Sequence, residues 1–478
     1  MLIRTMFAVL AIALLLSACT TAPRGAPSAA GLRGAAAATP SAEELPFFRE
    51  QAVQAAERRD FRLAHVYMVA VTLHPGATAL DWMMRAELAM DSGRYRDAAA
   101  ALSTVVSRWP VEARQVEWGR VIQQAAFRIR SDEAHRADYL GLVEALYAAE
   151  FRLAYGLQPE SLWEDLVIEA LEHGDMSRAR EVLSRIDSVE VLVGMRVDRR
   201  FDRLVSLEPD RFDIPSALRR ASAQGEALVA RHPRALDAFV QYAYALFDEG
   251  RHDEVLAMCD MILERLDGAV GQPPPYDDLG DALNWVYNHK AAALRAMGRW
   301  DEALAVMEQA RSLPEQRSAN ISQALNLASH YIDAGRFSDA LATVEPLACG
   351  DSVSPYGCMQ LHAVLHAAHR RLGNRPQAEK AFAYLSANRR DAEDTWITAT
   401  LEAGDLDAAA RRLIVQLEDP HQRGAALLGV QTFQPLPATP IMQERQALRQ
   451  RLLTRPDVAA AIDRVGRRGN VPMYRTPN

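Results

Sequence analysis

The sequence predicts an all-α fold: an α-solenoid of stacked helix–turn–helix repeats, preceded by a short apolar leader and a linker with little to bury. Three observations point there. The 478 residues are 49% hydrophobic and 24% charged, an ordinary globular balance, and they are rich in Ala and Leu and poor in β-branched side chains, which favours helix. One short phrase recurs along the chain, a Gly followed by a polar or aromatic pair, with Ala five residues after the Gly. Prolines fall mostly between stretches with apolar residues at helical spacing, where they end helices without breaking them.

The chain opens on Arg4 and an apolar run from Phe7 to Leu16, the length of a signal-peptide core and too short to span a membrane comfortably. Leu16-Ser17-Ala18-Cys19 closes it and resembles the lipobox of bacterial lipoproteins. That resemblance implies a signal peptide over 1–18, acylation of Cys19 after cleavage, and, with Thr20 following the cysteine, sorting to the periplasmic face of the outer membrane. More than one acyl chain anchors far more stably than one. Residues 19–44 then hold Ala, Gly, Pro, Ser and Thr with hardly a large apolar side chain, so they cannot offset the entropy of folding and read as a lipidated flexible linker.

From residue 45 the recurring phrase organises the chain. It appears at Gly93-Arg94-Tyr95 with Ala98, Gly174-Asp175-Met176 with Ala179, Gly250-Arg251-His252 with Val255, and Gly298-Arg299-Trp300 with Ala303. It continues at Gly335-Arg336-Phe337 with Ala340, Gly373-Asn374-Arg375 with Ala378, and Gly404-Asp405-Leu406 with Ala409; Arg59-Asp60-Phe61 with Ala64 is a degenerate first copy. The Gly closes a first helix in the left-handed conformation, and the Ala sits where the two helices of a hairpin approach closely.

This pattern resembles the tetratricopeptide repeat, a two-helix unit of about 34 residues. Trp82, Ala86, Ala98, Leu102 and Pro110 take its places in one copy, Trp163, Leu166, Ala179 and Leu183 in another, and Tyr287, Ala291, Leu294, Ala303 and Met307 in a third. Val167 stands where that family usually has Gly. Repeats of this kind are expected over 45–187 and 215–420. Residues 111–160 lack the phrase and predict an unorthodox hairpin or two. Residues 188–214, with short apolar turns around Phe201 and Phe212, read as an irregular interruption. Over 421–478 the phrase is absent; a helix near 441–453 and a shorter one after Pro456 are expected to cap the open end of the solenoid.

Net charge is −8, which argues against a dedicated nucleic-acid binder. Phosphate loops, zincin motifs, nucleophile elbows and paired CxxC sets are missing from the sequence, so neither a nucleotide nor another cofactor is expected, and the chain reads as a non-enzyme. Cys349 and Cys358 flank a Gly- and Pro-containing loop, and in an oxidising periplasm they form a disulfide or remain two free thiols. Cys259 reads as a buried thiol. His362, His366 and His369 share a helical face with Cys358 and read as hydrogen-bonded core histidines, so no metal is expected; a metal- or redox-responsive module built on them with Cys349 and Cys358 is the alternative.

The surface a solenoid offers is its groove, lined by first helices. Tyr244, Phe247, Trp285, Asn288, Arg295, Arg370 and Arg371 are expected there, rich in the residue types that dominate binding. The Lys/Asn clamp for a peptide carboxylate found in some tetratricopeptide proteins is not recognisable. The expected partner is a protein or peptide of the cell envelope.

Overall fold

The computed structural model describes residues 39–475 apart from 270, 314–319 and 351–352. The predicted leader, Cys19 and most of the linker lie outside the described residues. Two compact units divide between Ile186 and Asp187. The described residues form helices and two isolated bridge pairs, with no strand, and no described helix is long and apolar enough to cross a membrane.

The first unit runs α1 (Leu45–Glu57), α2 (Phe61–Leu73), α3 (Ala79–Asp91), α4 (Tyr95–Arg108), α5 (Pro110–Ala113), α6 (Val116–Arg130), α7 (Arg136–Ala148), α8 (Glu160–Glu172) and α9 (Met176–Leu183). The second runs α10 (Val189–Val197), α11 (Asp202–Leu207), α12 (Ile214–Arg231), α13 (Leu236–Glu249), α14 (His252–Asp267), α15 (Leu279–Ala296), α16 (Trp300–Arg311) and α17 (Ile321–Asp333). It continues with α18 (Phe337–Val344), α19 (Pro355–Arg371), α20 (Arg375–Ala387), α21 (Glu393–Ala403), α22 (Leu406–Glu418), α23 (Arg423–Gly429), α24 (Pro440–Leu453) and α25 (Pro456–Val465).

The recurring phrase does the work its chemistry suggests. At each of its eight copies, the degenerate Arg59 included, the Gly position has a positive φ. The amide after it reaches back to a carbonyl five residues earlier, as from Arg94 to Ala89 and from Arg299 to Leu294, which satisfies an otherwise unpaired end of the first helix. The small residue five positions after the Gly is buried in every copy, which lets the second helix lie against the first. Consecutive helices therefore pair as α1/α2, α3/α4, α8/α9, α13/α14, α15/α16, α17/α18, α19/α20 and α21/α22, a tetratricopeptide-like arrangement. Residues 111–160, which lack the phrase, place the short α5 and then α6 and α7, with α7 packed on α4.

Side-chain ion pairs cross from one hairpin to the next at about the repeat spacing. Arg49 of α1 donates to Asp81 of α3 at 2.7 Å, and Asp81 also completes the capping box of Thr78 that starts α3. Arg130 reaches Asp165 at 3.0 Å, and Asp165 accepts from Tyr139 as well. Each buried carboxylate is thus met by more than one donor, as burial of a charge requires.

The second unit departs from the open solenoid expected. Its first helix, α10, packs against α12 and also against α23, beyond the last hairpin. Val197 of α10 shares a hydrophobic cluster with Leu413, Leu417, Leu427, Leu452 and Ile462. The helices at 440–453 and 456–465 exist as expected, but they do not cap a free end. They return toward the start of the unit, so that this unit closes on itself.

Candidate functional site

The expected groove residues lie on α13, α15 and α19, and burial sorts them. On α13 the residues at helical spacing, Leu236, Phe239, Val240, Ala243, Leu246 and Phe247, form a buried stripe. Tyr244 falls off that stripe and is 37% exposed. On α15, Val286 and Ala293 face the core, whereas Trp285 is 48% exposed. Helix α13 packs on α15, and the Tyr244 ring meets His289 edge-on at 4.2 Å between centroids. Trp285 stands one helical turn before His289, so Tyr244, Trp285 and Asn288 share one side of adjacent first helices. The Asn288 amide nitrogen is sealed from solvent and has no hydrogen-bond partner among the described residues. Burial pushes the His289 imidazole down to about 4, so it is neutral, and neither of its nitrogens has a described partner.

Two of the expected groove residues belong elsewhere. Phe247 is fully buried and packs at the centre of the α13–α14 hairpin against His252. It is one of the stripe positions just given, and an aromatic side chain at such a position is core. Arg295 is 2% exposed; it donates to Asp333 at 3.1 Å and lies over the Trp300 ring. Its burial pulls its pKa down against the opposing pull of Asp333. Arg371 is engaged by Glu444 of α24, while Arg370 remains exposed.

Sequence reasoning missed the network around Arg295. Asp333 also accepts from Arg445 of α24 at 2.6 Å, and Arg445 pairs with Glu402 at the end of α21. The Thr439 hydroxyl donates to the Asp333 carbonyl. These contacts lay α24 across the ends of the first helices α17, α19 and α21. The sequence carries no specific signal for it: an acidic residue stands two before the turn glycine at Asp333 and Glu402, and equally at Asp91 and Glu172 of the first unit.

The cysteine and histidine face resolves into separate contacts. Cys349 and Cys358 are bonded to each other, with Cα atoms 5.6 Å apart. His362 stacks on Tyr384 at 3.8 Å, and His366 Nδ1 lies 3.1 Å from the Ala378 carbonyl, both on α20. Burial lowers the pKa of His362 and of His369. No group of three His, Cys, Asp or Glu side chains among the described residues converges to hold a metal ion. Cys259 is buried, and desolvation pushes its thiol up to about 12, which leaves it protonated and unreactive. Beside residues 188–214, a depression is lined by Arg196, Asp202, Val205, Ser206 and Arg467, of which Asp202 and Arg467 are paired at 2.7 Å.

The fold and this site define a helical-hairpin solenoid that presents two exposed aromatic side chains. No protein-family model matches the chain, and no curated protein sequence matches it. Among solved structures it aligns with a chain of the APC/C hetero-tetramer Cut9–Hcn1 at 13% identity, over 91% of this chain and 99% of that one, with a TM-score of 0.28. It aligns with the TPR domain of P58(IPK) at 12% identity over 86% and 100%, TM-score 0.19, and with the Naa15/Naa10 assembly bound to HypK-THB at 13% over 88% and 90%, TM-score 0.20. At such scores the fold assignment rests on the chain's own turns and helix pairs.

Proposed function

We propose that this chain is a non-catalytic scaffold that binds a protein or peptide segment across Tyr244, Trp285 and Asn288. The observation that carries the reading is that two large aromatics, Tyr244 and Trp285, stand partly exposed on neighbouring first helices. Aromatic side chains lose little rotamer freedom on binding and dominate interface energetics. The resemblance of Leu16–Cys19 to a lipobox supports a lipid anchor at the periplasmic face of the outer membrane, and with it a role in assembling envelope, pilus or secretion machinery. An anchor of that kind confines the binding face near one surface and raises its effective concentration for partners there.

The test is crosslinking in the native envelope, with the attached proteins identified by mass spectrometry. Tyr244→Ala with Trp285→Ala should deplete the principal partner about tenfold or more, in line with the loss of two hot-spot side chains. An unchanged partner profile from a variant with native helix content would refute the face. The anchor is tested separately: Cys19→Ser should move the chain from the membrane to the soluble fraction, and continued membrane retention would count against lipidation.

A further inference from the structure

Residues 466–475 carry no helix, yet they are held as closely as a bound peptide. They run extended beside residues 431–434. Thr432 donates to the Gly469 carbonyl at 3.1 Å, Val471 donates to the Thr432 carbonyl at 2.8 Å, and Gln434 donates to the Met473 carbonyl at 2.9 Å. Gln431 closes the pairing with its side chain, donating to the Arg467 carbonyl at 2.9 Å and accepting from the Gly469 amide at 3.0 Å. Val471 and Met473 are buried.

The segment then touches two further elements. Arg467 donates through its backbone to the Val197 carbonyl at the end of α10. Tyr474 donates through its backbone to the Asp248 carbonyl at 2.9 Å, and its ring meets His252 edge-on at 4.9 Å. The ring fits because residue 250 is glycine: a Cβ there would lie 2.5 Å from it. At Gly93, Gly174, Gly335, Gly373 and Gly404, the same turn position has nothing within 4 Å of an added Cβ, so the turn itself does not require this space. Arg475 pairs with Glu190 of α10 at 2.9 Å and lies over the Phe433 ring. An aromatic seat, an acidic seat and a backbone edge thus lie in one line.

We propose that this line is a peptide-binding site occupied by the chain's own residues 466–475, and that it recognises an extended segment bearing an aromatic–basic pair. The inference does not rest on the Tyr244–Trp285 reading, since it concerns other residues and another occupant. Two features mark the segment as an occupant of this line, although its Val471 and Met473 are buried. Its polar contacts are backbone pairings along one edge, the Arg468 guanidinium on the Leu453 carbonyl, and two ion pairs, Arg467–Asp202 and Arg475–Glu190, whose members remain about half exposed. The helices that precede it, α24 and α25, carry their own apolar cluster without it. Covalent attachment gives such an occupant a high effective concentration, so it fills the site unless displaced.

The experiment compares the full chain with a chain ending at Val465, using a fluorescent peptide of residues 466–478 and anisotropy as the readout. The shortened chain should bind the peptide saturably, and the full chain at least about tenfold more weakly. A peptide carrying Tyr474→Ala should lose binding, and one carrying Arg475→Glu should lose it and regain it on a shortened chain carrying Glu190→Arg. Equal binding by full and shortened chains, or no binding by a shortened chain with native helix content, overturns the proposal. If shortening unfolds the chain, the full chain with Tyr474→Ala and Arg475→Ala takes its place. Uptake of the wild-type peptide by that variant supports the site, and failure to take it up overturns it.

Discussion

His289 shows how much one buried polar side chain can say about conditions. It is 2% exposed, it meets the Tyr244 ring, and neither nitrogen has a described partner. Its pKa falls from 6.5 to about 4 because the apolar surroundings disfavour the imidazolium. The unfolded chain therefore binds this proton more readily than the folded one. Stability from this group is complete above pH 6.5 and drains as pH falls through 6.5 toward 4. Urea unfolding at pH 7.5 and pH 5.0 should show the native chain losing about 2 kcal/mol more than His289→Leu between the two conditions, from about 1.4 kcal/mol per pH unit. Parallel losses in both chains would mean that the site stays hydrated and the imidazole protonates freely. Sequence alone marked Tyr244 and Trp285 but passed over His289, because a histidine inside a helical stretch has no spacing signature of its own. It misplaced Phe247 and Arg295 for a related reason. An aromatic or an arginine suits a groove and an interior equally, and the packing of α13 on α15 decides between them.

At the scale of elements, the hairpin turns were fully legible. A Gly with a small residue five positions on states both the left-handed turn and the close approach that follows, and all eight copies fold that way. Illegible was a close helix approach through a glycine with no phrase around it. Gly225 lies inside α12, and a Cβ there would sit 2.7 Å from the Tyr242 ring and 2.9 Å from the Tyr242 Cα on α13. Backbone cannot swing aside as a side-chain tip does. Gly225→Ala should therefore destabilise by about 1–3 kcal/mol through overpacking, despite the roughly 1 kcal/mol gained in helix propensity. Gly141 in α7 supplies the contrast, since an added Cβ meets nothing within 4 Å there. Gly141→Ala should stabilise by about 0.5–1 kcal/mol. Thermal melts of the two variants should move in opposite directions; a shared direction would show that α12 and α13 have room to separate.

At the scale of the second unit, closure depends on residues that a repeat pattern cannot announce. The Pro-containing stretch at 433–440 looks like a connector, and α24 is mostly polar, so neither shows a strong apolar stripe in sequence. Their role appears in long-range contacts. Arg445 ties α24 to Asp333 and Glu402, while Leu452, Leu453, Val458, Ala461 and Ile462 fill a cluster with Val197, Leu413 and Leu417. Burying each of the larger of these side chains stabilises by about 1.5–3 kcal/mol, and without them the matching faces of α10 and α22 meet water. A chain of residues 187–478 should therefore unfold in one cooperative transition, since it contains every member of that cluster. A chain of residues 187–420 keeps the hairpins α13 to α22 but loses the side chains that join α10 to α22. It should melt at a lower temperature with a broader transition, because stacked repeats contact only their neighbours and lose cooperativity when the circuit is open. Equal midpoints and widths for the two chains would mean that the hairpins hold themselves together unaided and that the return of residues 421–478 adds nothing to stability.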